Sequence, residues 1–219
     1  CGGLNINIGT LNKNTIPSMF LAGKKANALG HIVLLDPVGA GASRLRTDTA
    51  NRLMREVRFD AVRGNISEIK TLCTGSGSTK GVDADAVDAV TEANLDDGVA
   101  LVKAFAKQTG CIIAVTGAID LVSDGERCWC IRNGRAEMSR ITGTGCQLSA
   151  LMTAFLVANP DRKLDAAAAA VCMMGLAGEI GWANMQPGDG NSTYRDRIID
   201  AIFNMTSDAL EEGAKYELR

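Results

Sequence analysis

The sequence predicts an α/β fold in which a mostly parallel central sheet carries helices on both faces and is extended by an antiparallel hairpin region. Three observations carry that reading. Strand-length apolar runs alternate with helix-length segments through residue 115, the pattern of βαβ units with right-handed crossovers. Residues 32–35 form an unbroken apolar run, as expected of a strand buried on both faces. Two turn signals, Ser123-Asp124-Gly125 and Arg132-Asn133-Gly134, flank Cys128-Trp129-Cys130-Ile131 and predict hairpins.

Taken in order, residues 4–8 alternate apolar and polar side chains and stop at Gly9, which reads as a strand. A helix follows, with Thr15 as cap, Pro17 in the first turn, apolar Met19, Phe20, Ala26 and Leu29, and Gly30 as terminator. After the strand at 32–35, a helix is expected at 48–57, capped by Thr47, and a strand at 59–62. The Gly- and Ser-rich stretch 74–81 reads as a surface loop. A helix at 94–108 leads through Gly110 to a strand at 111–115. Residues 141–147 then run from a strand into a helix at 147–157, and from Cys146 onward the pattern is helical with no further strand. The apolar run 166–178, bounded by Asp165 and Glu179, is too short to span a bilayer and reads as a buried helix. Pro187-Gly188-Asp189-Gly190-Asn191-Ser192 is expected to cap the last helix, and Trp129 and Trp182 to be packing residues.

The 219 residues carry 23 Lys and Arg against 25 Asp and Glu, a formal charge of −2. That balance argues against a nucleic-acid or anionic-membrane surface. With 46% hydrophobic residues the chain can bury a sizeable core, and residues 1–219 read as one domain without linker or repeat. Seven cysteines without a Cys-x-x-Cys, and a single His31, argue against a zinc site and suit a reducing, cytoplasmic compartment.

In open α/β sheets ligands bind beyond the carboxyl ends of the strands. Four junctions stand out there. Asp36-Pro37-Val38-Gly39-Ala40-Gly41-Ala42-Ser43 follows a buried strand, and its Asp36 can hold a metal ion or merely cap a tight turn. It is no dinucleotide fingerprint, because Arg44 stands in place of the third glycine. Arg63-Gly64-Asn65-Ile66-Ser67-Glu68 places Asn65 and Glu68 on one helical face, either as a capping box or as groups around Mg2+ beside Asp36, with Arg63 toward phosphates. Thr116-Gly117 offers a hydroxyl to a phosphate. Ile141-Thr142-Gly143-Thr144-Gly145-Cys146-Gln147 opens a helix, and the free N–H groups of Gly143, Thr144 and Gly145 make an anion hole backed by the helix dipole. A nucleophilic role for Cys146 lacks a base, since His31 lies at the opposite strand ends. Together the four junctions point to phosphoryl transfer from Mg-ATP, which asks mainly for positioning and charge neutralisation.

The 36–43, 63–68 and 142–146 motifs, in this order, closely resemble the hydroxyethylthiazole kinase family of the ribokinase-like superfamily, as do Asn7-Ile8-Gly9-Thr10-Leu11 and Ala22-Gly23-Lys24-Lys25-Ala26-Asn27. The resemblance implies a three-layer ribokinase-like fold, ATP and Mg2+ as cofactors, and phosphorylation of the primary alcohol of 4-methyl-5-(2-hydroxyethyl)thiazole, a thiamine salvage step. It implies ATP contacts at Arg63 and Thr116, Mg2+ and phosphate organisation by Asp36 and Glu68 with Asn65 in support, a thiazole contact at Gly143, and an anion hole that includes Gly145. Cys146 stands where most ribokinase-like enzymes carry the Asp that takes the alcohol proton. The family is expected to assemble as a homotrimer with active sites at subunit interfaces. Its members carry roughly two more strand and helix units ahead of Leu4, each on the scale of a βαβ unit of about 30 residues, which supply much of the thiazole pocket, including a Met-bearing loop. Two alternatives are another ribokinase-like enzyme, such as hydroxymethylpyrimidine kinase or a hydrate dehydratase, and a chain that binds nucleotide or thiazole without chemistry.

Overall fold

The computed structural model describes residues 1–74 and 89–219; the loop expected at 74–81 lies, from residue 75 on, outside the described residues. Strands β1 (Gly3–Asn7), β2 (Ile32–Asp36), β3 (Ala61–Asn65) and β4 (Ile112–Thr116) are parallel and lie side by side in chain order. Strands β5 (Asp120–Ser123), β6 (Cys128–Ile131) and β7 (Tyr216–Leu218) continue the sheet antiparallel. Helices α1 (Thr15–Ala28), α2 (Arg44–Glu56), α3 (Ile66–Thr74) and α4 (Leu95–Thr109) cover one face. Helices α5 (Thr144–Ala158), α6 (Lys163–Ala183) and α7 (Asn191–Asn204) cover the other, and α8 (Ser207–Gly213) packs on α6. This is the expected three-layer arrangement.

The pleat explains why β2 is apolar up to its last residue, Asp36. Val33 and Leu35 enter the core under α1 to α4, while Ile32 and Leu34 enter the core under α5 to α7, so no position faces water.

Several boundaries differ from expectation, each for a local reason. The cap of α2 is Ser43, whose hydroxyl accepts from Arg46 N–H at 3.3 Å. Thr47 lies inside that helix, where its hydroxyl instead accepts from Gly41 N–H at 2.8 Å. Thr15 is the first residue of α1 and not its cap; the Asn12 carboxamide oxygen takes the N–H groups of Asn14 and Thr15, both at 2.9 Å. Strand β3 runs to Asn65, because the polar residues Arg63, Gly64 and Asn65 pair with Ala114, Val115 and Thr116 of β4. Asp124 closes the β5–β6 hairpin by accepting from Glu126 and Arg127 N–H. The second turn signal makes no hairpin: β6 instead receives β7 from the chain end, a strand the helical pattern did not show. No strand precedes α5 either, since Ala136–Arg140 is a 3-10 helix.

Helix α6, at 21 residues, outruns its apolar stretch and is long and apolar enough to cross a membrane, yet it is two-thirds buried between α5, α7 and the sheet. Gly175, Gly178 and Gly181 lie against Asn133, Met138 and Ile198, so small residues permit that close packing. The 187–192 segment precedes α7, which α8 follows, so it does not introduce the last helix; Gly190 occupies the cap position without a side-chain bond. Trp129 and Trp182 make edge contacts with Tyr216 and Tyr194, as packing residues do.

Candidate functional site

Sheet register assembles the site. Asn7 pairs with Asp36 across β1 and β2, and Asn65 with Thr116 across β3 and β4, so four strand ends open onto one place. Asp36 is fully buried there. Its Oδ2 accepts from Ser149 Oγ at 2.8 Å and from Asn7 Nδ2 at 3.0 Å, and Arg63 Nη1 lies 3.8 Å away. Its Oδ1 is buried without a partner. Burial raises the Asp36 carboxyl above its ordinary range, against the lowering pull of Arg63, Ser149 and Asn7.

Arg63 is held on its other side, where Nη2 donates to Thr116 Oγ1 at 2.6 Å. The first turn of α5 rests on this guanidinium: a Cβ on Gly145 would lie 2.6 Å from Arg63 Nη1 and would push the guanidinium away. Gly143, at φ +99°, turns the chain into α5, and the N–H groups of Thr144, Gly145 and Cys146 have no acceptor within the helix.

Glu68 and Asn65 form the capping box expected of their spacing. Asn65 Oδ1 accepts from Glu68 N–H and Glu68 Oε2 accepts from Asn65 N–H, both at 2.8 Å. Glu68 Oε1 also accepts from Gly39 N–H at 2.8 Å, which ties the loop after β2 to the start of α3. Burial raises the Glu68 carboxyl, opposed by those backbone bonds to Gly39 and Asn65. The structural and the cation-organising readings of Glu68 are thus compatible, because each oxygen keeps a second lone pair. Cys146 is exposed, and its sulfur accepts from Asn7 Nδ2 at 3.1 Å.

A cavity of about 890 Å³ opens beside these groups. Its lining combines the polar groups of Arg63, Thr116 and Asp120 with the apolar side chains of Met138, Leu148, Val171 and Met174. A second cavity of about 830 Å³ lies among Arg55, Phe59 and Thr109 at the other ends of the strands, away from all four junctions.

Sequence reasoning missed three polar residues here: Asn7, Ser149 and Asp120. Asn7 stands in the Asn7-Ile8-Gly9-Thr10-Leu11 motif, which by itself assigns it no role; Ser149 lies inside a helix and Asp120 follows a short turn. Asp120 is buried at the cavity wall and accepts from Gly117 N–H at 2.8 Å. Burial pushes its carboxyl up to about 7, against the Gly117 N–H and the Arg63 charge. A raised carboxyl contributes stability that is fully present below the ordinary value of 3.8 and lost as pH rises toward 7. Asp120→Asn keeps the acceptor and removes that loss. Its advantage over the wild type in thermal unfolding is expected to grow between pH 4 and 7 and then level off, at no more than about 4 kcal/mol. A constant advantage across that range would show that Asp120 ionises normally.

A sequence model of the hydroxyethylthiazole kinase family matches residues 1–208. The chain belongs to the hydroxyethylthiazole kinase family. Within that family it is similar to the Clostridium acetobutylicum hydroxyethylthiazole kinase, with 54% identity over 217 residues, covering 99% of this chain and 80% of that protein. The Ruminiclostridium cellulolyticum hydroxyethylthiazole kinase is 44% identical over 212 residues, covering 97% of this chain and 76% of that protein. The solved hydroxyethylthiazole kinase structure from Pyrococcus horikoshii OT3 superposes with a TM-score of 0.85 at 29% identity, covering 100% of this chain and 77% of that one. Pyridoxal kinase from Staphylococcus aureus in complex with ADP shares the fold, with a TM-score of 0.61 at 16% identity, covering 100% and 72%. The hydroxyethylthiazole kinase family therefore carries the ribokinase-like fold expected from the motifs.

Proposed function

We propose that the chain is an ATP-dependent kinase that phosphorylates the primary alcohol of 4-methyl-5-(2-hydroxyethyl)thiazole, a thiamine salvage step. The observation that carries this reading is the convergence of Arg63, Thr116 and the N-terminus of α5 on one cavity, with Asp36 3.8 Å from Arg63, in a chain of this family. The apolar side chains of the lining suit an adenine base, and Arg63 with the start of α5 suits phosphates. The alcohol oxygen attacks the γ-phosphorus in line, the bond to the β,γ-bridging oxygen breaks, the electron pair leaves with ADP, and the alcohol proton is released late, to solvent. Arg63 and the free N–H groups of Thr144, Gly145 and Cys146 hold the phosphoryl oxygens as charge moves across them. Gly143 then borders the thiazole.

The donor set fits Mg2+, which takes one or two carboxylates together with phosphate oxygens and water. Asp36 has a buried oxygen without a protein partner, and Glu68 stands near it with a lone pair to spare on each oxygen. When bound, the ion would neutralise charge on the β- and γ-phosphates.

Cys146 takes a secondary part, because a largely dissociative transition state needs little early proton removal. Cys146→Ala is expected to keep measurable turnover, about a tenth to a hundredth of wild type, and Cys146→Asp to stay active. Total loss in the alanine variant, with fold and nucleotide binding intact, would make Cys146 indispensable.

We further propose that residues 1–219 act as one kinase domain in the cytosol, in keeping with seven cysteines that are all unpaired. A homotrimer with sites between subunits is the matching assembly. The exposed Leu21 of α1 and Leu45 of α2 are apolar surface that such an assembly can cover. The deciding experiment measures ADP formation with Mg-ATP alone, with the thiazole alcohol and with hydroxymethylpyrimidine. Thiazole-dependent ADP is expected; turnover on the pyrimidine alone, or nucleotide binding without product, would overturn the assignment.

A further inference from the structure

We propose that Asn7 and Ser149 are positioning residues that grip the Asp36 carboxylate by its Oδ2 and leave Oδ1 as the oxygen available to a phosphate-bound cation. This rests on the kinase reading above.

Asp36 is fully buried, yet the donors it receives are all on one side of its carboxylate. Ser149 and Asn7 both bond to Oδ2, at 2.8 and 3.0 Å, and the nearest guanidinium nitrogen, at 3.8 Å, faces the same oxygen. Oδ1 has no protein partner although it is buried. A buried carboxylate oxygen without a donor is costly, and buried polar atoms are otherwise satisfied. The asymmetry makes sense if a group from outside the protein completes the carboxylate.

The orientation of Asn7 is dictated by its surroundings. Gly9 N–H donates to Asn7 Oδ1 at 2.8 Å, which fixes the oxygen end of the amide. The two hydrogens of Nδ2 must therefore face the Asp36 Oδ2 and the Cys146 sulfur. Asn7 thus joins the end of β1, the end of β2 and the first turn of α5. Ser149 stands three residues after Cys146, one turn along the same helix, and is fully buried. Its hydroxyl ties α5 back to β2, so the anion-binding helix start and the carboxylate are fixed against each other directly through Ser149 and by way of Asn7. Neither residue needs to touch substrate for this.

The test uses Ser149→Ala, Ser149→Thr and Asn7→Asp in the full chain. Three quantities are read: kcat, the KM for thiazole alcohol, and the affinity of the enzyme–ADP complex for Mn2+, followed by electron paramagnetic resonance. Removing a hydrogen bond to a charged group predicts a fall of about 10- to 100-fold in kcat for Ser149→Ala. Mn2+ affinity is expected to fall with it, and the thiazole KM to stay within about twofold. Ser149→Thr restores the hydroxyl and should recover both quantities to within about threefold. Asn7→Asp keeps size but sets an acceptor against Oδ2, and it should match or exceed the loss of Ser149→Ala; the half-buried position leaves no cavity behind. Unchanged Mn2+ affinity in Ser149→Ala and Asn7→Asp overturns the proposal, as does a threonine variant no better than alanine. If the wild type forms no thiazole-dependent ADP, the kinase assignment falls, and the Mn2+ series alone decides the positioning role.

Discussion

Asp36→Asn is expected to lower thiazole-dependent ATP turnover by about a thousandfold and, in the same protein, to raise the melting temperature. The loss corresponds to about 4 kcal/mol of transition-state stabilisation, the scale expected when a cation-holding charge is removed from a water-excluded site. The gain in stability has a separate cause. Burial raises the Asp36 carboxyl above 3.8, against the pull of Arg63, Ser149 and Asn7, so ionising this group is harder in the folded protein than in the unfolded chain. The stability linked to this group is fully present below the ordinary value of 3.8 and is lost as pH rises through the raised value. An asparagine is neutral throughout, and its carbonyl oxygen can still accept from Asn7 and Ser149. Each kcal/mol recovered is worth about 2–4 °C in a chain of this size. Thermal unfolding without nucleotide or Mg2+ at pH 7.5 should therefore favour the variant, and the advantage should vanish below about pH 4. Turnover within tenfold of wild type would remove Asp36 from the cation site. A lower melting temperature would mean that Arg63 compensates its charge more fully than a distance of 3.8 Å implies.

The parts of this molecule that were legible in the sequence are those whose neighbours lie on both sides of a sheet or at its carboxyl edge. Strand β2 announced itself because both faces are covered, which leaves no room for polar alternation. Asp36, Arg63, Thr116 and the glycines before α5 were legible because chemistry in such sheets gathers at strand ends. The end of β3 was obscured by the same logic: Arg63, Gly64 and Asn65 are polar because they face the site, yet they are strand because β4 pairs with them. Strand β7 is three residues long, and Tyr216 pairs with Ile131, 85 positions earlier, so nothing local marks it. The hold on Asp36 is equally non-local. Ser149 is 113 residues away and reads, inside an apolar helix, as an ordinary small residue. Asn7, 29 residues away, reads as the polar member of an alternating strand. Only the fold reveals that both meet one carboxylate oxygen.

Gly175→Ala tests the opposite layer and should reverse the usual sign of such a change. In a helix interior, glycine to alanine ordinarily stabilises by about 1 kcal/mol. Here the new Cβ would lie 2.7 Å from the carbonyl carbon of Asn133 and 2.8 Å from its oxygen, backbone atoms that cannot rotate aside. Asn133 itself cannot withdraw freely. Its amide donates to Glu179 Oε1 at 3.2 Å and to the Gly213 carbonyl at 2.9 Å, while its Oδ1 accepts from Lys215 N–H at 2.7 Å. Gly134 N–H adds a bond to the same Glu179 oxygen at 2.9 Å, one helical turn from Gly175. Either α6 or the segment after β6 must move, and overpacking of this kind costs about 1–3 kcal/mol. The melting temperature is expected to fall by about 2–12 °C. Function should follow, because Gly175, Asn133 and Gly134 wall the cavity assigned to ATP and Met138 packs on Gly178 one turn along. The KM for ATP should rise several-fold while that for the thiazole alcohol changes less. Gly190→Ala is the control, since its Cβ meets nothing within 4 Å and should leave both quantities near wild type. An alanine at 175 that stabilises the protein would show that α6 and the Asn133 segment are free to separate, and that the cavity wall they form is softer than its hydrogen bonds imply.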